Sequence, residues 1–164
     1  MTQKRMIIGL LTACLAMVLS AFAKKPDDAA RGALSEGKIA QATPNGLILS
    51  TEKLSETPRF IDYEAQGTAM QLIALKDDDG TVRVAYNTCQ ICAGSPYAYF
   101  EWENNQLACR NCGNTFALSA VGRAQGGCNP WPLTDYETDG DSLTVAEETL
   151  TQMAPAFRNW KVFS

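Results

Sequence analysis

The segments Cys89-Gln90-Ile91-Cys92 and Cys109-Arg110-Asn111-Cys112-Gly113, sixteen residues apart, decide how this chain folds and what chemistry it can carry. A C-x-x-C turn lets two sulfurs converge on one ion while nearby backbone N–H groups point at them. Two such turns brought together by a hairpin form a tetrahedral four-sulfur cage, and the separation here falls in the range of zinc ribbons. Gly113 directly follows the fourth cysteine and can take the positive φ that a tight knuckle needs; Gly94, two places after Cys92, is a looser counterpart. The pattern makes Cys89, Cys92, Cys109 and Cys112 the candidate cofactor ligands.

Cys128 is the fifth candidate. It sits in Gly126-Gly127-Cys128-Asn129-Pro130-Trp131-Pro132, where two glycines allow close backbone approach and two prolines stiffen the chain beyond Asn129. Such a loop suits a fifth ligand, a substitute ligand or a redox partner; the plainer reading is a buried, inert thiol. The other readings of the four paired cysteines are two structural disulfides, a thioredoxin-type redox pair and purely structural zinc. Disulfides within C-x-x-C close very small loops and stabilise little. A thioredoxin-type pair wants a helix N-terminus in a βαβ setting, and neither pair has one. Metal is therefore preferred, and four thiolates suit iron and zinc alike.

The 164-residue chain contains no histidine. That excludes haem attachment through Cys-x-x-Cys-His, Rieske and blue-copper centres, and histidine-based catalytic zinc. Ser-His-Asp and Cys-His nucleophile systems are excluded with them. With 46% hydrophobic residues, the chain can build a real core without relying on metal for stability. A formal charge of -4, with scattered positive residues, argues against nucleic acid and against an anionic membrane surface.

Residues 1–23 read as a secretory signal: Lys4 and Arg5, an apolar stretch from Met6 to Leu19, then Ala21-Phe22-Ala23 as a small-x-small cleavage site. An uncleaved anchor, or lipidation at Cys14 in Leu11-Thr12-Ala13-Cys14, ranks behind cleavage. Each places the protein outside the cytoplasm, in the periplasm or cell envelope, with an uncleaved leader or lipid as the membrane tether. The exported part then holds Cys89, Cys92, Cys109, Cys112 and Cys128, an odd set that cannot pair fully within one chain.

Residues 24–44 read as a polar tether and 45–164 as a single β-rich α+β domain. Three hairpins are predicted. Met70 to Leu75 and Val82 to Tyr86 flank Asp77-Asp78-Asp79-Gly80, and Tyr97 to Trp102 and Gln106 to Ala108 flank Glu103-Asn104-Asn105. Leu133 to Glu137 and Ser142 to Val145 flank Thr138-Asp139-Gly140-Asp141, and Ala146 to Met153 forms a short C-terminal helix stopped near Pro155. The hairpins carry the two C-x-x-C knuckles in a zinc-ribbon or rubredoxin-like arrangement. Asp135-x-Glu137-x-Asp139-Gly140 imitates part of a calcium loop, but Ala146 stands where the closing glutamate is needed, so it reads as a turn. Tyr97, Tyr99, Phe100, Trp102 and Phe116 read as core and hairpin-face residues rather than as a cofactor shield.

The run from Asp79 to Ala85, the pair Cys89-Gln90-Ile91-Cys92, Leu107 to Phe116 around Cys109 and Cys112, and Gly126 to Leu133 around Cys128 together resemble the FtrD-like membrane iron–sulfur protein family, over roughly residues 58–150. Many relatives carry this module behind several membrane spans, whereas a single leader precedes it here. The resemblance implies a bacterial iron-uptake setting, electron delivery, and a metal site that includes Cys89, Cys92, Cys109, Cys112 and Cys128. The function expected is a non-enzymatic electron carrier or iron-handling accessory holding iron or an iron–sulfur cluster, with zinc as the alternative cofactor. Its partner would be a membrane component of an iron-transport or electron-transfer system. The rival functions are a structural zinc-ribbon interaction module and a thiol–disulfide or copper-handling protein.

Overall fold

The computed structural model describes residues 37–163. The leader, Cys14 and most of the tether lie outside the described residues. Among the described residues, eleven strands form three antiparallel sheets. The first sheet runs β1 (Ala40–Thr43), β2 (Gly46–Ser50), β11 (Ser142–Ala146), β10 (Glu137–Asp139). The second runs β3 (Arg59–Ala65), β4 (Thr68–Lys76), β5 (Val82–Cys89), β9 (Pro130–Pro132). The third and smallest is β6 (Phe100–Glu103), β7 (Gln106–Cys109), β8 (Thr115–Phe116). Helix α1 (Glu147–Met153) follows β11 directly and passes into a 3-10 turn at Ala154–Phe157, with Pro155 near its start.

Strand β4 explains the layering. Side chains alternate between faces along a strand, yet Met70, Leu72, Ile73, Ala74 and Leu75 are all buried. Met70, Leu72 and Ala74 face a first core shared with Leu47, Leu49, Leu143, Val145, Leu150 and Phe157. Ile73 and Leu75 face a second core shared with Phe100, Leu107, Phe116, Val121, Cys89 and Cys109. The second sheet is therefore covered on both faces, and a near-continuous apolar run is what such a strand requires. Strand β3, at the sheet edge, keeps the alternation: Ile61, Tyr63 and Ala65 point inward while Asp62 and Glu64 are exposed.

Hairpins form at the three expected turns, although the first strand of the third is Glu137–Asp139 rather than Leu133 to Glu137, because Leu133 is drawn into the first core, its N–H donating to the Val84 carbonyl at 3.3 Å. Asp77 accepts a hydrogen bond from the Gly80 N–H, and its carboxylate pairs with the buried Arg83 guanidinium at 2.5 Å, closing the β4–β5 turn. Asn104 and Asn105 both take positive φ in the β6–β7 turn, at 49° and 61°, the pattern of a two-residue primed turn. Gly140, at φ 56°, turns β10 into β11. The tether reading gives way at its C-terminal end, because Ala40–Thr43 pairs in register with Gly46–Leu49 as an edge strand.

Candidate metal centre

The cysteines arrive at the second core from three places. Cys89 is the last residue of β5, where the register against β9 shifts: β5 advances three residues, Tyr86 to Cys89, while β9 advances one. Bulges of this kind re-aim side chains near sites. The Cys89 N–H donates to the Ala98 carbonyl at 3.1 Å, and the Ser95 N–H donates to the Cys92 carbonyl at 3.0 Å, so the segment bearing Cys92 folds back on the strand end. Cys109 is the last residue of β7; its N–H donates to the Asn114 carbonyl at 2.9 Å and its carbonyl accepts from the Gly113 N–H at 2.8 Å. Gly113 adopts φ +73° in this turn. Cys128 comes from the loop between β8 and β9, where Gly126 and Gly127 both take positive φ.

The Sγ atoms of Cys89, Cys92, Cys109 and Cys128 all lie within 4.8 Å of one another. Cys89 and Cys109 are buried, Cys92 and Cys128 half-buried. Cys112 is exposed and stands beside this group, its Sγ 3.0 Å from that of Cys128; the Cys89–Cys128 Sγ separation is 3.6 Å. The structure thus brings Cys128 in among the sulfurs and places Cys112 at their solvent edge.

Amide side chains tie the segments together. The Gln90 Nε2 donates to the Ala124 carbonyl at 2.9 Å and to the Pro130 carbonyl at 3.1 Å, while its Oε1 accepts from the Gly126 N–H at 2.6 Å. The loop that carries Cys128 is thereby clamped onto the first C-x-x-C pair. Asn111 joins the two pairs: its Oδ1 accepts from the Ser95 hydroxyl at 2.7 Å, and its side chain favours the Cys92 thiolate. Buried Asn87 docks β6, accepting from the Phe100 N–H at 2.7 Å and donating to the Phe100 carbonyl at 3.1 Å and the Gln71 Oε1 at 2.7 Å. Sequence reasoning singles out none of the three. Gln90 and Asn111 occupy x positions of the two C-x-x-C motifs, and polar amides there were the available signal.

Thiols packed this closely affect one another's protonation. Burial pushes the Cys92 thiol up, with neighbouring Cys89 adding to the effect and Asn111 opposing it. Burial also raises Cys109, against N–H groups of Cys112 and Asn111 that favour its thiolate. Cys128 is pushed far up by burial and then by Cys112, Cys89 and Cys109. Cys112 moves down, its thiolate favoured by the Cys128 contact and then by the Asn114 N–H. Several sulfurs that resist ionising together, with amide N–H groups already aimed at them, form a site whose charge a cation would balance.

This is a β-rich protein whose clustered thiols can hold a thiophilic metal ion. A family model described as membrane iron-sulfur containing protein FtrD-like matches residues 54–157, and the chain belongs to that family. No curated protein and no solved structure matches the chain. The family is described as membrane-associated; among the described residues no helix is long and apolar enough to cross a membrane. The donor set, all cysteine sulfur and partly shielded, suits a thiophilic ion, iron and zinc alike.

Proposed function

We propose that this chain is an exported, cysteine-ligated iron protein that serves as an electron-transfer or iron-handling accessory of a bacterial iron-uptake system. The observation that carries the reading is the convergence of cysteine sulfurs from three separate segments at one edge of the second core. The family description supports iron as the metal. Iron bound by thiolates supplies a one-electron couple.

The protein's part is to set the surroundings of that couple. Phe100, Leu107, Phe116 and Val121 wall the inner side and exclude water behind Cys89 and Cys109. A dry inner wall and N–H groups directed at sulfur are the levers that tune a thiolate centre's potential. The outer side stays open: Cys112 is exposed, and Ile91, between the first two cysteines, is 70% exposed. A membrane component of the uptake system would meet the site at this edge, where the path from sulfur to partner is shortest. The C-x-x-C turn at the end of β5, the end of the β6–β7 hairpin at Cys109 and the loop bearing Cys128 act in this reading as the supports of a rubredoxin-like centre.

A thiol–disulfide role has one observation in its favour, the 3.0 Å approach of Cys112 to Cys128. Anaerobic purification followed by elemental analysis, visible spectroscopy and potentiometry separates the readings. Stoichiometric iron, visible thiolate-to-iron absorption and a reversible couple support the carrier. A colourless zinc protein would end it, and a metal-free protein with a reversible Cys112–Cys128 disulfide would replace it with the thiol–disulfide role.

A further inference from the structure

The family description implies iron–sulfur chemistry, and the sulfur geometry disagrees with one part of that implication. We infer that the site is built for a single ion held by Cys89, Cys92, Cys109 and Cys128, with Cys112 outside the tetrahedron, and not for a cluster of irons bridged by inorganic sulfide. The inference rests on the cysteine-cage reading above but not on which metal fills the cage.

Bond lengths separate the two kinds of centre. A thiolate binds a tetrahedral ion of this kind at about 2.3 Å, which sets the sulfur–sulfur edge of a regular tetrahedron at about 3.8 Å. The four sulfurs here all lie within 4.8 Å of one another, and the Cys89–Cys128 pair stands at 3.6 Å. Two irons sharing a pair of bridging sulfides form two tetrahedra joined along an edge. With the same bond length, thiolates on different irons then sit about 5.3 or 6.5 Å apart. A cubane, with one thiolate on each iron, sets every pair of its ligands on different irons, about 6.4 Å apart at the same bond length.

Choosing different ligands does not rescue the cluster. Any four of the five clustered cysteines include at least three of Cys89, Cys92, Cys109 and Cys128. Three thiolates shared among two or more irons contain at least one pair on different irons, and that pair must exceed the 4.8 Å within which all these sulfurs fall. The fourth place goes to Cys128 for a related reason. Cys112 and Cys128 are 3.0 Å apart, closer than the tetrahedral edge of about 3.8 Å, so they do not fill two vertices of one tetrahedron. Cys128 is the half-buried member, clamped by Gln90; Cys112 is exposed. Its place at the solvent edge makes it a spare thiol next to the ligand set.

The test counts atoms rather than activity. The full chain is purified without oxygen, and a second sample is reconstituted with ferrous iron and no sulfide source. Metal and acid-labile sulfide are then measured per chain. One ion and no sulfide is the expected result. Two or more sulfides per chain, or metal uptake only when sulfide is supplied, would overturn the inference. One zinc ion without sulfide would uphold it while removing the electron-carrier reading, so the two fail separately. X-ray absorption on Cys112→Ser settles the ligands: four sulfurs around the ion are expected, and with Cys112 gone they must include Cys128. A fall to three sulfurs in Cys112→Ser would refute that assignment. Cys128→Ser, checked for folding by circular dichroism, is expected to fall to three.

Discussion

Gln90 holds the Cys128 loop through three hydrogen bonds, two donated to the carbonyls of Ala124 and Pro130 and one accepted from the Gly126 N–H. Replacing it with alanine removes all three at once. Each is worth about 0.5–1.5 kcal/mol net, and water can take over part of the loss in a loop this accessible, so roughly 1–3 kcal/mol of loop ordering is lost. If that ordering is what presents Cys128, the same free energy appears in metal affinity, about 5- to 150-fold. That range brackets what loss of a group supporting a ligand usually costs, about 10- to 100-fold. Competition with a chromophoric chelator reads the affinity, and a urea melt of the metal-free protein reads the fold. Gln90→Ala is expected to weaken the first by that factor and to shift the second by no more than about 3 kcal/mol. Gln90→Glu is the sharper variant. It keeps an acceptor for Gly126 but sets a carboxylate against two carbonyl oxygens, and it should bind metal less well than Gln90→Ala. Wild-type affinity in both variants would refute the idea that the clamp positions a ligand.

Asn87→Leu strips the buried partners from the Phe100 N–H and from Gln71, and should cost about 2–4 kcal/mol in chemical denaturation, since a buried polar group left unpaired costs about 1–3 kcal/mol. Gly122→Ala should also destabilise, by about 1–3 kcal/mol in a thermal melt: φ is +72° there, and a Cβ would meet the Val84 carbonyl oxygen at 2.7 Å. Ile91→Ser, at a side chain 70% exposed, should leave stability within about 0.5 kcal/mol while slowing electron exchange with a membrane partner, measured by stopped-flow with isolated membranes. An unchanged exchange rate would place the docking edge elsewhere.

Legibility in the sequence tracks the range of the interactions involved. The hairpins were legible because their determinants lie within a few residues: Asp77 to Gly80, Asn104-Asn105 and Gly140 shape their turns locally. Strand β1 was not, because Ala40-Gln41-Ala42-Thr43 lacks the β-branched and aromatic run that marks a strand and is held by its pairing with β2. Strand β9 hides behind Pro130 and Pro132, residues that signal turns and are tolerated here because the strand lies at the sheet edge. The same distinction governs the site. C-x-x-C is a local motif, so its four cysteines announce themselves, but spacing along the chain ranks Cys112 with Cys109 as equals. Their separation into a buried sulfur and an exposed one is a tertiary result. It depends on Gln90 reaching across more than thirty residues to draw the Cys128 loop inward, and on the β5 bulge aiming Cys89 at the second core. A motif therefore names the atoms available to a metal, while the long-range hydrogen bonds choose among them. In the single-ion proposal for this chain, that choice is what separates a cage for one ion from a frame for several.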